Sequence, residues 1–134
     1  MKIVVLDTNV LVSALLVPAS TPAMVFRRFR DGYWRLAVSG AVLEEYGRVL
    51  RRKRFGLSLN LIEAILLEIE RLSLRVIPRQ HFTAIIEDPS DNEFLDVAVE
   101  AAADAIISGD QHLLSLKIFH GIRILSPAQS LRDL

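Results

Sequence analysis

Ile3-Val4-Val5-Leu6 is a run of four apolar residues near the start of the chain, and Asp7 follows it directly. A continuous run rich in β-branched residues predicts a strand that is buried on both faces. Such strands belong to parallel sheets, whose faces are covered by helices. This stretch therefore predicts an α/β fold with an acidic side chain at the carboxyl end of its first strand.

Outside this stretch, the chain alternates helical and strand-like segments. The predicted strands are residues 3–6, 35–38, 74–77, 105–108 and 122–125, and the predicted helices are residues 10–16, 21–30, 41–52, 59–72, 92–102 and 110–116. Thr21 is the expected cap of the second helix, with Pro22 in its first turn. Strands that alternate with helices predict a three-layer α/β/α sandwich with a mainly parallel central sheet.

The composition is that of a folded chain. Of 134 residues, 51% are hydrophobic and 24% are charged, and the formal net charge is zero. The absence of cysteine excludes disulfides, thiolate metal sites and a cysteine nucleophile. No apolar segment is long enough for a signal peptide or a membrane span. We therefore expect one cytoplasmic domain, residues 1–134, with no membrane partner.

Charge is distributed unevenly along the sequence. Residues 27–54 contain nine Lys or Arg against three acids, whereas residues 80–110 contain eight acids and no Lys or Arg. The basic candidates for contact with a nucleic-acid backbone are Arg48, Arg51, Arg52, Lys53 and Arg54. Such a run is also typical of a solvated helix end. His81, His112 and His120 have no ligand spacing and are interpreted as structural or surface residues.

Two acids follow predicted strands at the edge where ligands bind in open α/β sheets. They are Asp7, after the first strand, and Asp110, which follows the strand of residues 105–108 after Gly109. Each also stands at the start of a helix, where Asp is a favoured cap. Either acid alone is as well explained by capping. Two at the same sheet edge favour a binding site.

Helix periodicity separates the other acids. At about 100° per residue, Glu44 lies opposite the apolar face of its helix, and Glu45 lies near the border of that face. Asp91 projects inward at the start of its helix, whereas Asp96 and Glu100 are predicted to be surface residues. Four carboxylates are thus expected to converge: Asp7, Glu45, Asp91 and Asp110.

Like charges packed together are costly unless cations neutralise them. Hard oxygen ligands without Cys or His favour Mg²⁺ or Mn²⁺. Such a metal can activate a water for attack on a phosphate. The possible supporting residues, which are equally well explained as turn and cap residues, are Thr8, Asn9 and Ser108.

Four segments resemble the motifs of PIN domains. They are Val5-Leu6-Asp7-Thr8-Asn9-Val10-Leu11-Val12-Ser13, Leu43-Glu44-Glu45-Tyr46-Gly47-Arg48-Val49-Leu50, Asp88-Pro89-Ser90-Asp91-Asn92-Glu93-Phe94-Leu95 and Ile107-Ser108-Gly109-Asp110-Gln111-His112-Leu113-Leu114. The resemblance places the family's acidic positions on the same four carboxylates. Asn92 stands where some relatives carry a second Asp, so the third position is either Asp91 or Asn92.

The resemblance to PIN domains implies a fold like that of flap-type 5′ nucleases, Mg²⁺ or Mn²⁺ at the acidic cluster, and endoribonuclease activity on RNA. Chains of this length are similar to VapC-like toxins of toxin–antitoxin pairs. Those are commonly homodimers that a small antitoxin protein neutralises. The toxin assignment rests on this resemblance alone.

Three other functions share features with this sequence. A phospho-acceptor domain needs a Lys at the end of its last strand, where this chain has Leu125-Ser126-Pro127. A phosphatase of the haloacid-dehalogenase type needs an Asp two residues after its nucleophile, where Asn9 stands. A non-catalytic nucleic-acid or protein-binding module with the PIN fold stays open.

Overall fold

A computed structural model describes residues 1–134 and contains one six-stranded sheet. The strands are β1 (Lys2–Leu6), β2 (Trp34–Val38), β3 (Ser73–Arg75), β4 (Ala105–Ile107), β5 (Ile118–Phe119) and β6 (Ile122–Leu125). They lie in the order β3-β2-β1-β4-β6-β5. All neighbouring strands are parallel except β5 and β6, which are antiparallel. The predicted α/β fold with a mainly parallel sheet is confirmed.

Helices flank this sheet. They are α1 (Thr8–Leu16), α2 (Thr21–Arg30), α3 (Gly40–Leu50), α4 (Leu59–Leu72), α5 (Asn92–Glu100), α6 (Gln111–Leu114) and α7 (Pro127–Asp133), with 3₁₀ turns at Lys53–Phe55 and Pro89–Asp91. Helices α2 and α7 contact each other and pack on β2 and β6, whereas α5 contacts α3 and packs on β1, β2 and β4. No single helix is long and apolar enough to cross a membrane; α1 and α2 pass that test only as a pair, bent by 101°.

Serine side chains cap both α3 and α2, so the predicted cap of α2 at Thr21 is wrong. Ser39 Oγ accepts a hydrogen bond from the Val42 N–H at 3.1 Å. The cap of α2 is Ser20, whose Oγ accepts from the Ala23 N–H at 3.2 Å. Thr21 is already helical. Serine and threonine both cap helices, and proline is tolerated throughout the first turn, so the local sequence allowed either register.

Strand β5 was not predicted from the sequence. Residues 118–119 pair with β6 through a tight turn at His120 and Gly121, whose φ angles are 50° and 80°. Two residues are too few to show a period-2 pattern, so a strand of this length has no periodic signal. Strand β5 forms one edge of the sheet and is separated from β4 by β6.

Beneath the carboxyl end of β1, the core contains a pair of aromatic rings. Tyr46 of α3 and Phe94 of α5 are fully buried and stack with their ring centroids 6.5 Å apart. The Tyr46 hydroxyl donates a hydrogen bond to the carbonyl oxygen of Leu6. Burial raises the pKa of Tyr46, so this hydroxyl stays protonated. The pair therefore fixes α3 and α5 against the last residue of β1.

Candidate metal centre

Asp7 is buried at the carboxyl end of β1, next to the end of β4. Its backbone N–H donates to the Ile107 carbonyl at 2.9 Å, and the Ser108 hydroxyl donates to Asp7 Oδ2 at 2.6 Å. Although Asp7 directly precedes α1, its side chain makes no capping hydrogen bond. The Asp7 carboxylate is therefore oriented by Ser108.

Asp110, at the end of β4, does cap a helix. Its Oδ1 accepts hydrogen bonds from the backbone N–H groups of His112 at 2.7 Å and Leu113 at 3.4 Å. Its own N–H donates to Ser108 Oγ at 2.9 Å. One hydroxyl thus links Asp110 to Asp7. The cap uses Oδ1 only, which leaves Oδ2 of Asp110 without a hydrogen bond within the chain.

Asp91 ends the 3₁₀ turn before α5 and is almost fully buried, with 5% of its surface exposed. Its Oδ2 has no hydrogen-bond partner. One carboxylate oxygen from each of Asp88, Asp91 and Asp110 lies within 4.8 Å of the other two. A buried, unpartnered carboxylate oxygen among other carboxylates is unfavourable unless a cation binds there. This cluster is therefore a candidate metal centre.

Asp88 belongs to this group, and the sequence reading missed it as a ligand. It is exposed, and its Oδ1 accepts from the Ser90 hydroxyl at 2.6 Å. In the sequence, Asp88 directly precedes Pro89, and an Asp-Pro pair is a turn signal. The same turn signal could have identified it, because residues three apart in a turn lie within about 7 Å of each other. Asp88 and Asp91 have this spacing.

Asn92, the alternative third position, has a different role. Its side-chain oxygen accepts from the Ile85 N–H at 2.9 Å. Its amide donates to the carbonyl oxygens of Ile85 at 2.8 Å and Pro89 at 3.0 Å. The amide is therefore fully engaged with the backbone of the segment before α5. Asn92 holds in place the turn that carries Asp88 and Asp91.

Glu45 lies at the border of the cluster, on α3. Its side chain is only 14% exposed and forms an ion pair with Arg48 one turn later on the same helix. The Thr8 hydroxyl donates to Glu45 Oε2 at 3.5 Å. Glu44 is exposed, as helix periodicity predicted. The structure therefore brings Glu45 toward α1, although Glu45 is not one of the three acids whose oxygens converge most closely.

The predicted basic run is exposed at the end of α3 and in the turn after it. Arg48 forms an ion pair with Glu45. The Arg54 guanidinium lies 4.9 Å from the centroid of the Phe55 ring. Asn9 is exposed next to the buried Thr8. The basic run is therefore accessible to solvent at the end of the helix that carries Glu45.

The buried acids have pKa values well above the ordinary range for Asp. Burial raises the pKa of Asp7 to about 6, with a further contribution from the negative charge of Asp110; the hydrogen bond from Ser108 opposes the shift. Burial also raises the pKa of Asp91 to about 7, and the charges of Asp7, Asp88 and Asp110 add to this. When no cation is bound, Asp91 is therefore partly protonated at neutral pH, whereas Asp7 becomes protonated only as the pH falls to about 6.

The metal-free protein should lose stability as pH rises through this range. Asp7 and Asp91 ionise near pH 6 and 7 in the folded chain, but near pH 4 in the unfolded chain. The folded state then binds more protons between these values, so the free energy of unfolding falls from about pH 4 to about pH 7. We expect the melting temperature in EDTA to fall over this interval. Addition of Mg²⁺ or Mn²⁺ should raise the melting temperature, and the increase should be largest at the upper end of the interval.

The control for this prediction is the double variant Asp7→Asn, Asp91→Asn, measured by thermal melting in the same buffers. Its melting temperature should vary less with pH, because the two shifted carboxyls are gone. A metal-free wild-type protein whose melting temperature is constant or rises over the same interval would contradict the prediction.

Asp96 was predicted to lie on the surface, and this is wrong. It is buried; its Oδ1 accepts from the Phe82 N–H at 2.7 Å, and its Oδ2 lies 3.3 Å from His81 Nδ1. The segment between β3 and α5 covers the helix face that points away from the sheet. Glu100, on the same helix, is engaged by Arg79, whose backbone N–H donates to it at 2.9 Å.

The three histidines differ in environment. His120 packs against the rings of Phe82 and Phe119, with centroids 5.0 and 4.5 Å away, which supports a structural role. His112 Nδ1 lies 4.0 Å from the Glu87 carboxylate on the surface. His81 is the only one held by a buried acid, Asp96. His81 is therefore held in one orientation by a buried acid, a contact that the sequence did not indicate.

Comparison with known proteins identifies the family. Residues 3–112, a range that includes every acid of the candidate centre, match the family model described as PIN domain. The chain is also 35% identical over 118 residues to an uncharacterized protein of Methanocaldococcus jannaschii, an alignment that covers 85% of this chain and 74% of that protein. PIN domains are generally nucleases that depend on divalent metals. This chain belongs to the PIN-domain family.

Proposed function

We propose that this protein is an endoribonuclease that depends on Mg²⁺ or Mn²⁺ and cleaves RNA at the cluster of Asp7, Glu45, Asp91 and Asp110, to which Asp88 adds a fifth carboxylate. The observation that carries the proposal is that Asp91 is buried, has one carboxylate oxygen without a partner, and lies close to the carboxylates of Asp88 and Asp110. An acid in that position destabilises the folded protein unless it binds a cation.

The donor set fits a hard divalent cation. Its converging atoms are carboxylate oxygens, with no sulfur and no imidazole among them. Such ligands suit Mg²⁺ and Mn²⁺ rather than zinc. Asp88, Asp91 and Asp110 would hold the ion, with Asp7 beside them. In a nuclease of this kind, carboxylates bind the ion, and the ion must keep coordination positions open to phosphate oxygens and water.

When bound, the cation would polarise the scissile phosphate and lower the pKa of a water for in-line attack. The chain's own residues position the carboxylates. Ser108 orients Asp7 and receives the Asp110 N–H. Arg48 and Thr8 hold the Glu45 carboxylate at the border of the cluster. Asn92 fixes the turn that presents Asp91.

The proposal is tested with a pool of single-stranded RNAs of random sequence, incubated with Mg²⁺, Mn²⁺ or EDTA. New RNA ends are read by sequencing, so that a strict target sequence does not hide cleavage. We expect cleavage that requires the metal and that Asp7→Asn reduces by roughly 100-fold or more, because this change removes a buried charge from the centre. The matched control is Glu44→Gln, which removes an exposed acid of α3 and should leave cleavage unchanged.

The outcomes separate the parts of the proposal. Cleavage in EDTA, or full activity of Asp7→Asn, would contradict this centre. Metal-dependent cleavage of a matched single-stranded DNA pool but not of RNA would retain the nuclease and exclude the ribonuclease. No cleavage, combined with a melting temperature that Mn²⁺ raises in the wild type but not in Asp7→Asn, would favour a non-catalytic module that binds metal.

We also propose that the protein is the toxin of a toxin–antitoxin pair, acts as a homodimer and is neutralised by a small antitoxin protein. The support is the likeness of its motifs and length to VapC-like chains. Expression of the wild type should then arrest growth of a bacterial host, and Asp7→Asn should not. The cytoplasmic location stays a prediction.

A further inference from the structure

A cavity of about 460 Å³ lies between the start of α3, the end of β3 and the start of α5. Its polar lining comes from Arg75, His81, Glu93 and Asp96, and Pro78 contributes apolar surface. Cavities of this size hold small ligands. Neither the family match nor the proposed metal centre assigns a role to this cavity.

The cavity and the proposed metal centre share helix α3. Ala41 lines the cavity, and Glu45 is four residues further along the same helix. Residues four apart lie on the same helix face, about 6 Å apart along the axis. Glu93 also lines the cavity, and it lies two residues after Asp91 at the start of α5. The cavity therefore shares α3 with Glu45 and the start of α5 with Asp91.

Arg75 is an exposed residue that brings a positive charge to this cavity. Its guanidinium forms no ion pair, although two carboxylates line the same space. One guanidinium nitrogen lies 3.4 Å from the position that a Cβ on Gly40 would occupy, so it stands over the first residue of α3. A helix start carries partial positive charge, which disfavours a cation there. An anionic group between them would relieve this repulsion.

His81 presents an oriented ring at the same cavity. The buried carboxylate of Asp96 lies 3.3 Å from Nδ1 and also accepts the Phe82 N–H, so the imidazole is held from one side. The rest of the side chain is open, with 79% of its surface exposed. A ring held by one nitrogen leaves the other nitrogen and both faces for a ligand. Such rings stack on the bases of single-stranded RNA.

We propose that this cavity is a nucleotide subsite, in which Arg75 contacts the phosphate and His81 stacks on the base of the nucleotide next to the cleaved bond. The inference rests on the proposed function, because it takes the ligand to be part of the RNA substrate. The mixed lining favours a nucleotide over a free phosphate. A bare anion would gain nothing from the apolar surface of Pro78, whereas a base can pack on it.

The test compares Arg75→Ala and His81→Ala with Arg71→Ala, which removes an exposed arginine of α4 that does not line this cavity. Binding of a fluorescein-labelled single-stranded RNA is measured by anisotropy with Mg²⁺ in the Asp7→Asn background, which prevents cleavage. We expect each cavity variant to weaken binding about tenfold. Arg75→Ala should also lower the slope of affinity against salt by about one. Arg71→Ala should do neither.

A second readout sets the two proposals apart. In protein that retains Asp7, His81→Ala should change which bases are preferred beside the cleaved bond in the random RNA pool. Arg75→Lys should bind RNA more tightly than Arg75→Ala, because it keeps the positive charge. If the cavity variants bind and cleave as Arg71→Ala does, the subsite is overturned while the ribonuclease stands. If the wild type cleaves nothing, yet Arg75→Ala still weakens RNA binding, the subsite stands without the ribonuclease.

Discussion

Replacing Asp91 by Asn should abolish most RNA cleavage and at the same time raise the stability of the metal-free protein. Asp91 is buried, one of its oxygens has no partner, and its neighbours are acids. The amide has the same shape but no charge, so it binds a divalent cation far less well. We expect a loss of roughly 100-fold or more in cleavage rate.

The gain in stability has the same cause as the loss of activity. Burial and the charges of Asp7, Asp88 and Asp110 raise the pKa of Asp91 to about 7, so ionising this group costs free energy in the folded state. Asn removes that cost. In EDTA above about pH 7, we expect the Asp91→Asn variant to melt at a higher temperature than the wild type.

Both quantities are measured on the same preparations, with Asp31→Asn as the matched control. Asp31 is an exposed Asp at the end of α2, and its replacement should change neither cleavage nor melting by much. Retained cleavage in Asp91→Asn would place the centre elsewhere. Lost cleavage with a lower melting temperature would make Asp91 a structural residue rather than a metal ligand.

Replacing Asn92 by Ala should destabilise the protein and disable the centre together. The Asn92 amide satisfies the N–H and carbonyl of the buried Ile85 and the carbonyl of Pro89. Leaving two or more buried backbone groups without partners should lower the free energy of unfolding by roughly 2–4 kcal/mol. Cleavage should fall as well, because the turn that carries Asp88 and Asp91 is no longer fixed.

Asn92→Asp distinguishes this role from that of a ligand. The carboxylate can still accept the Ile85 N–H, but it cannot donate to the two carbonyl oxygens and it repels them. We therefore expect Asn92→Asp to be less stable and less active than the wild type in urea unfolding and RNA cleavage. Asn60→Ala, an exposed change on α4, is the control. A stable Asn92→Asp variant with higher activity would instead assign a metal-ligand role to this position.

The sequence alone determined the features that depend on local pattern. The apolar run 3–6 predicted a buried parallel strand, and Asp7 follows that strand in the structure. The 3.6-residue period of α3 separated the exposed Glu44 from the mostly buried Glu45. Strand ends and helix faces are set by neighbouring residues, so they can be recognised without knowing how distant segments pack.

The tertiary structure decided what depends on the path of residues 76–91. This segment has no periodic pattern, and it runs from β3 across α5 before it forms the turn at Asp88 and Asp91. Its course buries Asp96, engages Asn92 with Ile85 and brings His81 to the cavity of Arg75. These contacts join residues that no helix or strand period relates. Their placement is therefore fixed by the packing of the whole chain, and only the folded structure reveals it.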